Sequence, residues 1–274
     1  RDDIIVGGEG DDTIWGDGGN DRLEGGFGVD SLKGGDGDDI LTDSGTDTGA
    51  GEVFHGDGGN DVINPGQGLD LVFGGTGQDF VFGGGDSKTL NGMEGNDFLS
   101  GPTASSVLQG AEGDDWLEGG NGSAGLDYLA GDNSELFFNS EIIGHDVMDG
   151  RAGDTDYDGE SGDDIMILRE GIQRSNGMAG FDWVINRDAT TGQTVDLGIT
   201  AFANQQNFIL RDRNDLVEGA SGSQFDDHII GRNEILGGLF LGRAANPTPG
   251  PSFESYANTL LQSSVDRIAG FSNL

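Results

Sequence analysis

From Arg1 to Ile185 the sequence repeats Gly-Gly-x-Gly-x-Asp-x-U-x, with U a bulky apolar residue. A nine-residue period of this kind restricts a chain to stacked turns and short strands. The cleanest copies are Gly7 to Trp15 (GGEGDDTIW), Gly25 to Lys33 (GGFGVDSLK), Gly34 to Thr42 (GGDGDDILT) and Gly74 to Phe82 (GGTGQDFVF). Eleven copies, starting at residues 7, 16, 25, 34, 56, 65, 74, 92, 110, 159 and 177, keep Gly at position four, Asp at position six and an apolar residue at position eight. Closely spaced glycines permit positive φ, so backbone carbonyls can converge in a tight loop that the Asp closes with a carboxylate. A three-residue strand follows, and its period of two turns position eight inward and positions seven and nine outward. One apolar residue per nonapeptide cannot build a core alone. Two nonapeptides forming one coil, with coils stacked, give two parallel sheets and a thin apolar line between them. The expected fold class is all-β: a parallel β-roll, a two-sheet right-handed solenoid.

These residues resemble the RTX, or haemolysin-type, nonapeptide repeat over residues 1–185. The resemblance implies multiple Ca²⁺ ions held between turns on the same edge by position-six carboxylates and backbone carbonyls. Carried over by position, the carboxylates are Asp3, Asp12, Asp21, Asp30, Asp39, Asp61, Asp70, Asp79, Asp97, Asp115, Asp127, Asp146, Asp164 and Asp182. The carbonyls are those of Gly7, Glu9, Gly16, Gly18, Gly25, Phe27, Gly34, Asp36, Gly56, Gly58, Gly74 and Thr76. Mixed hard oxygen ligands suit Ca²⁺ better than the rigid octahedron of Mg²⁺ or the nitrogen and sulfur preference of Zn²⁺.

Composition points the same way. Fifty acidic against 13 basic residues leave a net charge of −37, whose self-repulsion opposes any compact state. With 54 glycines and 33% apolar residues, a conventional core is meagre and the ordering entropy large. Metal-binding energy then becomes folding energy. Extracellular modules of this kind bind in the range of about 10⁻⁴ to 10⁻³ M, so the expectation is a chain unfolded inside the cell and folded outside. The chain has no cysteine for a disulfide or thiolate site, no run of about 18 apolar residues for a membrane span, and no basic-then-apolar leader. The resemblance implies a secreted or cell-surface bacterial protein exported by a type I route with a C-terminal signal. Because the sequence opens in mid-repeat, a fragment of a larger protein is expected, with other domains of the parent chain as partners.

Stacked positions lie 18 residues apart, and the breaks in the repeat are informative. Asp61, Asp79, Asp97 and Asp115 keep one edge intact, whereas the opposite edge reads Asp70, Lys88, Ser106. Calcium is expected to be depleted around Lys88 and Ser106. An ammonium at Lys88 stands in only weakly for a cation, and its expected place is in solvent. On the intact side the outward position seven runs Val62, Phe80, Phe98, Trp116, with Phe82 beside it, an aromatic strip expected to dock another domain or a partner.

Three segments are expected: a β-roll over 1–185 with insertions at 43–52, 119–125 and 131–144; a capping β extension over 186–246 with a degenerate repeat at 215–231; and a Pro-rich connector with an amphipathic helix over 247–274. Within the extension, Val195 to Thr200 and Phe208 to Leu210 read as short strands. Nothing singles out a catalytic residue. His55, His145 and His228 match no zinc or triad signature, His55 reading as an outward strand residue and His145 as a turn residue. The charge repels nucleic acid. The fragment is therefore expected to be a non-catalytic calcium-dependent folding module. Asp215 to Gly231, together with the Pro-rich connector and terminal helix, is similar, more faintly, to RTX regions of large secreted haem peroxidases, including manganese-oxidising ones, which implies an enzyme-associated role supplying metal ions such as Mn²⁺. A surface-layer or adhesive module would instead self-assemble.

Overall fold

The computed structural model describes residues 1–45, 51–122, 125–132, 144–169, 171–178, 180–197, 213–215 and 217–231. Within them the chain is all-β, a parallel solenoid of two sheets. Strands alternate between the sheets along the chain, so that each coil contributes one strand to each. The eleven-stranded sheet starts with Ile4–Glu9 and Arg22–Phe27 and ends with Trp183–Ile185 and Gly219–Ser221. The ten-stranded sheet starts with Thr13–Gly18 and Ser31–Asp36 and ends with Gln173–Asn176 and Arg213–Asp215.

Register follows directly from the repeat. Leu23 lies between Ile5 and Leu41, and Leu32 between Ile14 and Phe54, so the apolar position eight stacks on itself from coil to coil. Leu23, Leu41, Ile63, Val81, Leu99, Leu117, Met148, Met166 and Val184 from one sheet meet Leu32, Phe54, Val72, Leu90, Leu108, Leu129 and Tyr157 from the other in one buried cluster. The core is one side chain deep on each side. Tyr157 is accommodated there because its hydroxyl donates to the Ile167 carbonyl at 2.8 Å and accepts from the Gly150 N–H at 3.0 Å.

Several strands run longer than the three residues expected. Thr13–Gly18 extends through the first glycines of the next repeat, and Asp17 pairs with Gly35 and Gly18 with Asp36. The turn backbone is thus itself hydrogen-bonded between coils before it curls away. Position two takes positive φ in most copies even where the residue is not glycine: Asp17, Asp57, Met93, Ala111, Arg151, Glu160 and Met178 adopt it, with φ of 85° at Met93, whereas Pro102 and Arg169 do not.

The insertions leave the stack unbroken. Ile40 pairs with Val62 across the first and Trp116 with Val147 across the last two. The degenerate copies 150–158 and 168–176 still form strands, Asp154–Asp158 and Gln173–Asn176. After Asn186, Thr194–Asp196 pairs with His228–Ile230 in a separate two-stranded sheet, while Arg213–Asp215 and Gly219–Ser221 each add a strand to the roll. The expected strand at 208–210 and the helix of 247–274 lie outside the described residues.

Candidate metal-binding edges

Each coil turns through two glycine-rich corners, which stack into two edges. On the first edge Asp3, Asp21, Asp39, Asp61, Asp79, Asp97, Asp115, Asp146, Asp164 and Asp182 fall in one column. The backbone N–H of each donates to a carboxylate oxygen one coil further on. The Asp3 N–H reaches Asp21 Oδ1 at 2.7 Å, Asp61 reaches Asp79 at 2.8 Å, and Asp97 reaches Asp115 at 2.7 Å. Asp115 reaches Asp146 at 2.8 Å across both later insertions, and Asp164 reaches Asp182 at 3.0 Å. Asp182 itself donates to Glu218 Oε2 at 3.0 Å, so Glu218 closes the column.

This one bond fixes each side chain and leaves its second oxygen facing inward. Oδ2 of Asp21, Asp39, Asp61, Asp79, Asp97, Asp115 and Asp146 is buried and receives no hydrogen bond. Buried carboxylate oxygens without a donor are costly unless a cation or a proton meets them. Burial pushes the carboxyls of Asp61 and Asp79 up to about 7, Asp97 up to about 6 and Asp115 up to about 8; the backbone N–H bonds oppose this, and neighbouring carboxylates such as Asp97 beside Asp79 and Asp115 reinforce it. Asp146, Asp164 and Asp182, fully buried, are held well above the usual carboxylate range for the same first reason, with adjacent acids adding to it.

Glycine at position one keeps this space open. A Cβ on Gly7 would stand 2.5 Å from Asp12 Oδ2 and 2.6 Å from the Gly25 carbonyl oxygen; one on Gly34 would collide with Asp39 Oδ2 and meet the Gly56 carbonyl oxygen at 2.8 Å. The carbonyls of Gly25, Gly34, Gly56 and Gly74 therefore face the same spaces as the carboxylates. At position three, the carbonyls of Phe27, Asp36, Gly58 and Thr76 accept from Gly10, Gly19, Gly37 and Gly59 N–H groups at 2.7–2.9 Å, so one lone pair of each already serves the stack. The Gly18 carbonyl accepts from the terminal amine of Arg1.

The second edge is irregular. It carries Asp12, Asp30, Glu52, Asp70, Lys88, Ser106 and Asp127. Asp12 N–H donates to Asp30 Oδ1 at 2.8 Å and Glu52 N–H to Asp70 Oδ1 at 3.1 Å. Glu52, read only as the end of an insertion, is 1% exposed and occupies the place of a position-six Asp; burial pushes its carboxyl up to about 8. Its signal was a carboxylate immediately before the apolar strand Val53–Gly58. Lys88 is not in solvent: it is buried, its ammonium 2.6 Å from Asp70 Oδ2 and donating to the Gly68 carbonyl at 2.7 Å. Beyond it, Asp127 Oδ1 accepts from the Ser106 N–H and hydroxyl, both at 2.9 Å, and its Oδ2 from Gly120 N–H at 3.1 Å.

A second ladder, at position five, runs in the opposite direction. The Asp38 N–H donates to Asn20 Oδ1 at 3.2 Å, Gln78 to Asn60 at 2.9 Å, and Asp114 to Asn96 at 3.1 Å. His145 belongs to it, donating from its N–H to Asp114 Oδ1 and accepting at Nδ1 from Asp163 N–H at 2.8 Å. The residue is thus a turn element, and His55 stacks on Phe73 with ring centroids 4.8 Å apart on a strand. The sequence signal for this ladder was the recurrence of Asp and Asn before the position-six Asp.

Among the described residues no three acidic or histidine side chains gather into a compact cluster. Carboxylates instead enter one per regular corner, and the remaining oxygens at those corners are peptide carbonyls. A parallel β-roll with glycine turns, an inward carboxylate at each regular corner and converging carbonyls defines a solenoid whose corners gather hard oxygen donors. The family model described as the RTX calcium-binding nonapeptide repeat (4 copies) matches residues 1–32, 20–48, 53–72, 65–99 and 91–134, so residues 1–134 are RTX calcium-binding repeats. No curated protein matches the sequence. The structure extends the same architecture well past the matched residues, through Asp146, Asp164 and Asp182.

On the outer face, Val62, Phe80, Phe98 and Trp116 are in register, and Phe80 stacks on Phe98 with centroids 4.4 Å apart. Phe82 lies beside Phe80 at 4.8 Å. Val62, Phe80 and Phe82 are exposed, Phe98 and Trp116 half-buried. The same row continues into Val147 and Ile165, which with Ile167 and Ile185 form a second, buried apolar cluster flanked by Trp116 and Trp183.

Proposed function

We propose that this chain is a calcium-dependent folding and stabilising module of a secreted bacterial protein, without catalytic activity of its own. The observation that carries this is the column from Asp21 to Asp182, in which carboxylates are buried with one oxygen tied to the neighbouring coil and the other turned inward. Position-six carboxylates and position-one carbonyls would hold Ca²⁺, which supplies the positive charge that makes stacking like charges favourable. Neighbouring coils are about 4.8 Å apart, and unit charges at that separation repel by about 3 kcal/mol at an effective dielectric of about 20. A net charge of −37 adds a diffuse repulsion. Cytosolic calcium, far below the range in which extracellular modules bind, leaves such a chain extended for export; millimolar calcium outside closes it. The aromatic strip from Val62 to Trp116 would dock another domain of the parent chain.

The test is a Ca²⁺ titration of the metal-stripped chain, with Mg²⁺ and Mn²⁺ as controls, followed by far-UV circular dichroism and sedimentation. A cooperative coil-to-β transition with compaction, specific to Ca²⁺, is expected. A stripped chain already folded and indifferent to calcium would refute the proposal. Preferential folding with Mn²⁺ would move the reading to metal supply for an enzyme, and growth in mass with calcium to a surface assembly.

A further inference from the structure

We infer that this chain carries side chains that replace metal ions at irregular steps of the second edge, with Lys88 acting as a tethered cation in a site otherwise built for calcium. The inference rests on the calcium reading of the regular steps.

Two irregular steps share one geometry. At the first, position six of the upper coil is Asp70, a carboxylate buried with its Oδ2 pointing into the corner. The next coil places Lys88 where an Asp normally stands, and its ammonium lies between Asp70 Oδ2 and the position-four carbonyl of Gly68. Neither side chain of the pair is exposed. At the last step, position six of the upper coil is Thr155, and the next coil brings Gln173. Its Nε2 reaches the Gly153 carbonyl at 3.1 Å, again position four of the coil above. The two side chains span the same 20 residues back along the chain to the same kind of carbonyl. The charge of the substitute matches the charge it faces: an ammonium opposite Asp70, a neutral amide opposite Thr155. Ser106 follows Lys88, where no carboxylate stands above, and contributes only a neutral hydroxyl, which bonds Asp127.

A solvent-facing lysine would satisfy none of this. Burying an ammonium is tolerated only against a carboxylate and further acceptors, which Asp70 and Gly68 provide. The corner between Asp70 and Lys88 thus carries its cation on the chain itself, and the coils there close without an ion while the opposite edge, from Asp61 to Asp115, still takes calcium. The roll is asymmetric in its need for metal.

Two measurements on the chain of residues 1–274 test this. The first counts calcium bound per folded chain, by equilibrium dialysis with elemental analysis, in wild type and Lys88→Asp. Restoring the carboxylate should add one ion per chain. The second uses acetylation by an N-hydroxysuccinimide ester, since Lys33 and Lys88 are the two lysines of the sequence. With calcium, Lys33, whose side chain is 53% exposed, should react at least tenfold faster than Lys88; without calcium the rates should converge. An unchanged ion count in K88D, its failure to fold in excess calcium, or equal acetylation of both lysines in the calcium-loaded chain would each overturn the inference. If wild type binds no calcium, the proposed function itself falls.

Discussion

Replacing Asp97 by Asn separates charge from hydrogen bonding within the regular edge. Asp97 is 3% exposed, and its Oδ1 accepts from the Asp79 N–H at 2.8 Å. Asn keeps that acceptor and nearly the same shape but removes the charge. Burial holds the Asp97 carboxyl at about 6 against an ordinary 3.8, so in the metal-free fold its ionisation at pH 7.5 costs about 3 kcal/mol. The sign is that of an acid whose folded value is raised. The folded state binds the proton more tightly, so stability is full below about 4 and is lost as pH rises through about 6. Asp97→Asn should therefore stabilise the metal-free roll by up to about 3 kcal/mol at pH 7.5. In calcium the same change removes a charged ligand and should raise the calcium midpoint about tenfold, or about 1.4 kcal/mol. The assay is circular dichroism in two series: trimethylamine N-oxide titrated into chelated protein, and calcium titrated without osmolyte. Asn should fold at lower osmolyte but need more calcium. Destabilisation by equal amounts in both series would refute the reasoning, because the carboxylate would then be only a hydrogen-bond acceptor.

Other perturbations follow from the same geometry. In chelator, the chain should be compact near pH 4 and expand as pH rises through 6–8, the range set by Asp97, Asp61, Asp79 and Asp115, while the calcium midpoint falls over the same range; sedimentation against pH measures both. Met93→Gly should stabilise the calcium-loaded roll by about 0.5–1 kcal/mol in urea unfolding, because Met93 is exposed and holds φ at 85°; Gly26→Ala should cost more than about 2 kcal/mol, since a Cβ there strikes the Gly8 carbonyl. Leu99→Ala, in the fully buried line between Val81 and Leu117, should cost about 2–5 kcal/mol in the same assay.

The nonapeptide made the roll, its register and the first-edge column legible because each position has one physical task and repeats it. Asp146, Asp164 and Asp182 followed from carrying the repeat over by position, although insertions and degenerate copies intervene. Lys88 was misplaced because sequence supplies a side chain's type and edge but not whether a carboxylate and a carbonyl await it; a lysine usually stays in water, and Asp70 and Gly68 reverse that. Glu52 and Glu218 escaped because each enters its column from a segment without the glycine signature, and the longer side chain still reaches. Position-four carbonyls were missed as acceptors for the same reason Lys88 was: their direction is a property of the folded corner.

A core one side chain deep has a consequence for length. In a rounded domain, added residues lower the ratio of surface to interior, and large domains become self-sufficient. Here each further coil brings the same two inward residues, the same corners and the same carboxylates, so the ratio stays constant however long the roll grows. Under the proposed calcium dependence, extending such a chain would not free it from its ions; it would raise the number that must bind together and so sharpen the concentration at which the whole array orders.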